Sequence, residues 1–228
     1  MLADLQTHYR GLVSTDQLDW ARALAEPVLG HTQDTYESTI FDFGLDTTIL
    51  TGAWPVKNAH HIMKWEQTTG RPLRSYNHII EIGAGLGDMP RFCYDLGFTG
   101  TYTIVDLPAT AKIQQHYLHG QYPKVEWCSL DDLRGLTLDP ANTLVIATWS
   151  LSEVSYEIRT QFCEILAGAD WFVTFQSYIF GLNNVEWFPK LFKYLTHSRD
   201  VRYEAMLHHR WQGDRGGSTR EAPKYHDR

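Results

Sequence analysis

An α/β fold with a doubly wound, mainly parallel sheet is what the chain predicts from Tyr76 onward, and two observations predict it. Short apolar runs alternate with helical patterns, and the first run breaks into closely spaced glycines before a helix begins. "HIIEIG" (78–83) reads as the first strand and "DMPRFCYDLG" (88–97) as the helix after it, with Pro90 tolerated in its first turn. "GTYTIVDL" (100–107) is the second strand, followed by the helix "ATAKIQQHYLHG" (109–120). "KVEWCSL" (124–130) and "TLVIATW" (143–149) are the third and fourth strands. "SYEIRTQFCEILAG" (155–168) is a helix closed by Gly168, and "DWFVTFQSYI" (170–179) is a fifth strand. Beyond it, "EWFPKLFKYLT" (186–196) reads as a helix and "VRYEAMLHHRW" (201–211) as a last strand at the sheet edge.

Ahead of the core, residues 1–30 carry apolar residues at helical intervals (Leu2, Leu5, Tyr9, Leu12, then Leu18, Ala21, Leu24), and "KNAHHIMKWEQTTG" (57–70) reads as a helix ended by Gly70. Residues 31–57 are mixed and polar. The expected organisation is a helical cap or lid over 1–75, the α/β core over 76–211, and a polar, glycine-rich tail over 212–228.

With 228 residues the chain can bury a sizeable core. Its 20 Lys and Arg against 27 Asp and Glu give a net charge of −7, which argues against a broad nucleic-acid-binding face. Cys93, Cys128 and Cys163 share no C-x-x-C spacing, so three reduced thiols in a reducing compartment are expected. No apolar run is long enough for a membrane span, and "MLADLQTHYR" has no signal-peptide core; a cytoplasmic protein is the expectation.

The glycines narrow the ligand. A dinucleotide fingerprint needs G-x-G-x-x-G, its third glycine allowing helix and strand to pack closely. Here the spacing is Gly83, Gly85, Gly87, and Asp88 stands where the third dinucleotide glycine belongs, its charge opposed to a pyrophosphate. No Gly-Lys-Ser/Thr follows, so a P-loop is excluded, and a nucleoside without phosphates fits better. Glu81 sits in an otherwise apolar strand, where an acid is costly unless something pairs with it, and there it is placed to attract a cationic amino group. Asp106 ends the second strand at the edge that faces the ligand crevice in open α/β sheets, where a carboxylate accepts ribose hydroxyls.

"EIGAGLG" (81–87) resembles motif I of the class I S-adenosylmethionine-dependent methyltransferases, E-x-G-x-G-x-G, and the remaining motifs follow in order. "YTIVDLP" (102–108) resembles the second strand, "VEWCSLDDL" (125–133) the third strand and its turn, and "LVIATWSLSEV" (144–154) the fourth strand, where acceptor and methyl donor meet. With its helical N-terminal segment, "TGAWPVKNAHHIMK" before the core and "SLSE" after strand four, the chain is most similar to the sugar O-methyltransferase family. The resemblance implies a Rossmann-like fold, S-adenosylmethionine (SAM) as cofactor, and transfer of a methyl group to a hydroxyl of a sugar or sugar-containing small molecule. It implies cofactor contacts from Glu81, Gly83, Ala84, Gly85, Gly87, Asp106, Leu107 beside the adenine, Leu130 and Asp131 near the adenine amino group, and Thr148.

A sugar hydroxyl is a poor nucleophile at neutral pH, so a general base is expected. Glu153 follows strand four by four residues, and His60 and His61 lie on the helix before the core; these are the candidates, ahead of His208 and His209. "LDDL" (130–133) offers two adjacent acids, but Asp131 is already assigned to the adenine, so no metal site is expected. Two other readings stay open: a different small-molecule or protein acceptor, and a non-catalytic nucleoside-binding module of the same fold. An Asn-Pro-Pro-Tyr-type motif after strand four is absent (Ala147, Thr148, Trp149, Ser150 stand there), which disfavours methylation of base or glutamine amino groups.

Overall fold

The computed structural model describes residues 39–42, 48–51, 53–118, 120–179 and 181–196. The helices expected in 1–30, the strand expected over 201–211 with His208 and His209, and the 212–228 tail lie outside the described residues.

Two short strands come first: β1 (Thr39–Asp42) pairs antiparallel with β2 (Thr48–Thr51). The region read as mixed and polar therefore holds a strand pair, rich in Thr, Ile, Leu and Phe, residues that suit extended backbone. Helix α1 (Ala53–Thr69) follows, starting four residues ahead of its expected start.

The core sheet contains β3 (His78–Ile82), β4 (Thr101–Val105), β5 (Val125–Cys128), β6 (Thr143–Thr148) and β7 (Asp170–Thr174). Their order is β5-β4-β3-β6-β7, and every neighbouring pair is parallel. The chain thus moves outward from β3 through β4 to β5, then returns to the other side of β3 for β6 and β7. The reversal lies between β3 and β6, and in open α/β sheets the ligand crevice opens beyond the carboxyl ends of the strands at that point.

Helices α2 (Asp88–Asp95) and α3 (Pro108–Leu118), with the one-turn α4 (Leu130–Leu133) after β5, connect the first half. The second half adds the one-turn α5 (Ser150–Glu153), α6 (Tyr156–Ile165), and α7 (Asn184–Thr196), with Pro189 inside the last of these. Alternate strand residues feed two cores, because successive side chains point to opposite faces. Ile79, Tyr102, Ile104, Leu144 and Ile146 pack with Ala59, Ile62 and Met63 of α1 and Met89, Phe92 and Cys93 of α2. Ile80, Ile82, Val105, Val145 and Ala147 pack with Leu151, Phe162 and Leu166 on the other face, together with Phe188 of α7. Among the described residues no helix is long and apolar enough to cross a membrane.

The strand expected over 170–179 is interrupted. β7 ends at Thr174, and a separate short pair, β8 (Tyr178–Ile179) with β9 (Leu182–Asn183), follows. Asn184 accounts for the break: its amide donates to the Ser177 carbonyl (3.0 Å) and its side chain to the Gln176 carbonyl (2.8 Å), so those groups cap α7 instead of extending the sheet.

The amino edge of the sheet is closed by a polar clamp. Arg71 Nη1 bonds Asp170 Oδ2 at 2.7 Å, Nη2 donates to the Ala141 carbonyl at 3.1 Å, and the guanidinium stands 3.8 Å from the Tyr76 ring centroid. The Tyr76 hydroxyl donates to the same Asp170 oxygen at 2.8 Å. One arginine thereby joins the segment before β3, the turn before β6 and the start of β7.

Candidate active site

The carboxyl edge is built differently. β3 runs into Gly83, Ala84, Gly85 and Gly87, and α2 begins at Asp88. Gly83 has φ 71°, and a Cβ there would lie 2.5 Å from Ser150 Cβ, so only glycine allows α5 to approach the turn. Gly85 has φ 57° with nothing within 4 Å of a would-be Cβ, which leaves open space above its backbone. This is the cradle a nucleoside needs: backbone that a ligand can approach closely, flanked by a carboxylate.

Asp106, the residue after β4, supplies that carboxylate. Its Oδ2 accepts from the Ala84 amide (3.2 Å) and from Gln114 Nε2 (2.7 Å), and its Oδ1 from the Leu107 amide (2.7 Å). An ionised carboxylate offers about four acceptor positions. Three are taken, leaving room for one ribose hydroxyl without rearrangement. Gln114, fully buried on α3, holds the arrangement in place. Its Nε2 also donates to the Gly85 carbonyl (2.9 Å), and its Oε1 accepts from Trp127 Nε1 (3.2 Å). One amide thus ties the glycine turn, the end of β4 and β5 together. Sequence reasoning missed it, since a lone Gln in a polar helix carries no signal.

Glu81 is 2% exposed, and the Tyr102 hydroxyl donates to its Oε2 at 2.8 Å. Burial pushes its pKa up to about 8, against the opposing pull of the Tyr102 hydrogen bond. It lies beneath the turn with almost no surface to offer a ligand directly. Asp88 opens α2 and accepts from the Tyr117 hydroxyl at 2.9 Å. Leu107 is 71% exposed, an apolar surface beside Asp106. Leu130 is half-buried and Asp131 exposed, both on α4, which Ser129 and Asp132 start with a reciprocal capping box.

Past the reversal, β6 ends at half-buried Thr148, and Trp149 takes φ 75°. A bulky residue in this conformation is strained, at about 1–3 kcal/mol, and persists only where its surroundings hold it. Its amide donates to the Thr174 carbonyl (2.8 Å), its carbonyl accepts from the Ser152 amide (3.0 Å), and Ser150 Oγ donates to the Ile82 carbonyl. The ends of β3, β6 and β7 are thereby laced together around Trp149. Lys57 of α1 places its Nζ 4.5 Å from the centroid of the Trp149 ring.

The base candidates are placed unequally. Glu153 ends α5 and is exposed; His60 is half-buried; His61 is 1% exposed, its ring edge-to-face with Phe172 at 5.7 Å. Arg159 is fully buried behind α5. Its Nε donates to the Val154 carbonyl (2.8 Å), its Nη1 to Asn184 Oδ1 (2.6 Å), and its Nη2 to the Ser152 carbonyl. Among the described residues no three His, Cys, Asp or Glu side chains gather as metal ligands.

No protein-family model and no curated protein matches the chain. Solved structures do. A Thermoplasma acidophilum protein aligns over 61% of this chain and 69% of its own at 12% identity, with a TM-score of 0.44. The glycopeptide N-methyltransferase MtfA aligns over 51% of this chain and 52% of its own at 16% identity, TM-score 0.39. Human N-acetylserotonin methyltransferase in complex with SAM aligns over 51% of this chain at 17% identity, TM-score 0.37, and only 32% of its own length is spanned.

Proposed function

We propose that the chain binds SAM at the carboxyl edge of the sheet and transfers its methyl group to a small-molecule acceptor, with a sugar hydroxyl as the acceptor class. The observation that carries this reading is the meeting of an open glycine turn, an Asp106 carboxylate and the β6 end at the topological reversal. In this reading the backbone of Gly83, Ala84, Gly85 and Gly87 cradles the methionine part, and Asp106 takes a ribose hydroxyl. Leu107 and Leu130 cover the adenine, Asp131 meets its amino group, and Thr148 lies at the methyl end. Glu81 stabilises the turn from below and responds to the cofactor's ammonium through it. Bound SAM supplies an activated methyl group; the protein supplies alignment, and orientation alone is worth about 7–11 kcal/mol in favourable cases. Of Glu153, His60 and His61, Glu153 is the one an acceptor reaches from solvent. The domain assignment accompanies this reading: 76–211 as the cofactor core, 1–75 as cap and 212–228 as tail.

Calorimetric titration with SAM, its demethylated product S-adenosylhomocysteine (SAH), and NAD tests the proposal. SAM and SAH are expected to bind and NAD is not; binding of NAD alone overturns it. Methyl transfer from labelled SAM to a library of sugars and nucleotide sugars then tests the acceptor class, and transfer only to amines or proteins removes the sugar hydroxyl.

A further inference from the structure

We propose that Gln114 sets how this site reads the ribose: by holding one oxygen of Asp106, it restricts that carboxylate to a single ribose hydroxyl. The inference rests on the reading of this edge as a SAM site, and it narrows what Asp106 takes from the cofactor.

The orientation of the Gln114 amide is fixed by the three groups around it. The indole Nε1–H of Trp127 can only donate, so it faces the amide oxygen, at 3.2 Å. A backbone carbonyl and an ionised carboxylate can only accept. The Gly85 carbonyl and Asp106 Oδ2 therefore both face the amide nitrogen, at 2.9 and 2.7 Å. An amide nitrogen carries two hydrogens, and each is used. A flipped amide would set its oxygen against two acceptors and its NH2 against a donor. Gln114 is fully buried, so water cannot replace any of these bonds, and the amide is held in place.

The hydrogen bonds at Asp106 then decide what a ligand finds. Oδ2 accepts from Gln114 Nε2 and, at 3.2 Å, from the Ala84 amide, which fills the two positions a carboxylate oxygen offers. Among the described residues Oδ1 accepts from the Leu107 amide, at 2.7 Å, which leaves it one position for a hydroxyl. To take the neighbouring 2′ and 3′ hydroxyls together, a carboxylate needs a position on each oxygen. Opening Oδ2 means withdrawing Gln114, and that also breaks the bonds to Trp127 and Gly85. One hydroxyl on Oδ1 avoids this cost. Gln114 is thus a positioning residue: it acts on the cofactor through the carboxylate it occupies.

Calorimetry with SAH, 2′-deoxy-SAH and 3′-deoxy-SAH on wild type, Asp106→Asn and Gln114→Met tests the proposal, with folding of both variants checked by thermal melts. In wild type, Asp106 is expected to make one deoxy analogue bind about tenfold or more weaker than SAH, and the other within about threefold. In Asp106→Asn that penalty should shrink toward about threefold, because it belongs to the carboxylate. In Gln114→Met the opened Oδ2 should make the second analogue lose about tenfold too, a change that a packing role for Gln114 does not produce. Two wild-type penalties that both shrink in Asp106→Asn mean that the carboxylate holds both hydroxyls, and they overturn the proposal. So does a wild type indifferent to both analogues, an Asp106→Asn variant that relieves neither penalty, or a folded Gln114→Met variant that keeps the wild-type pattern. A second wild-type penalty that survives in Asp106→Asn supports the proposal, since another group then holds that hydroxyl. If Gln114→Met does not fold, the wild-type and Asp106→Asn measurements decide by themselves. Failure of wild type to bind SAH overturns the SAM reading itself, and that result is visible before either analogue is used.

Discussion

The two edges of the parallel sheet solve opposite problems with the same kinds of residue. At the amino edge Arg71, Asp170 and Tyr76 satisfy one another and the neighbouring carbonyls, and positive φ falls on glycines such as Gly70 and Gly168. At the carboxyl edge Trp149, which is not a glycine, also takes positive φ, the Asp106 carboxylate has three of its acceptor positions filled by described residues, and an amine rests on an aromatic ring. The first edge is finished when the chain folds. In the proposed reading a ligand completes the second, and the strained Trp149 lies at the same edge as the glycine turn.

Substitutions that respect or violate this division separate the edges. The largest effect is expected for Gly83→Ala, whose Cβ would press on Ser150 at φ 71°. It should abolish detectable SAM binding and lower the melting temperature, whereas Gly85→Ala, with open space around it, should cost only about 1–2 kcal/mol of left-handed strain. Thermal melts and calorimetry on both variants check the contrast, and equal stability losses would break it.

Glu81 gives the next effect, as a pH dependence. Its pKa is raised from 4.5 to about 8 in the folded chain, so between those values the native state holds a proton that the unfolded state has released. Its contribution to stability is full below pH 4.5 and is lost as pH rises through 8, by up to about 1.4 kcal/mol per pH unit. Glu81→Gln removes that slope. Denaturation of wild type and variant at pH 5, 7 and 9 should show the variant gaining relative stability with each step, and parallel curves would contradict the assignment.

Asp106→Asn should weaken SAM binding about tenfold or more and lower the melting temperature as well, since either orientation of the amide sets its NH2 against an N–H that the carboxylate now accepts. Arg71→Ala is the converse and the smallest change for function. It should cost about 1–2 kcal/mol of stability, the clamp being about a third exposed, and leave the SAM dissociation constant within twofold. A large affinity loss in Arg71→Ala would mean that the edges are coupled, and the comparison would fail.

The difference between the edges also accounts for what was legible beforehand. All five core strands were readable, because "HIIEI", "TYTIV" and "TLVIAT" are buried on both faces and leave no other use for such runs. The glycine turn and Asp106 were readable because their spacing restricts the backbone. The β1–β2 hairpin was not: four-residue strands of Thr, Ile and Phe are too short for a period to stand out. α5 was hidden because one helical turn after a strand depends on Trp149 adopting φ 75°, which no propensity favours. Gln114, Arg71 and Arg159 share a further reason. Each is a polar residue whose importance lies in contacts across 25 to 99 positions of chain, and polar residues on helices and in turns look alike until those contacts exist.

Arg159 carries a consequence for access. Its guanidinium holds the Ser152 and Val154 carbonyls on one side and Asn184 on the other, and Asn184 in turn grips the Gln176 carbonyl. The segments that leave β6 and β7 are thus mechanically one piece, bolted from behind by a buried cation. Parting them would have to break the Arg159–Asn184 bond, and with it the bond from the Trp149 amide to the Thr174 carbonyl that joins the two strand ends.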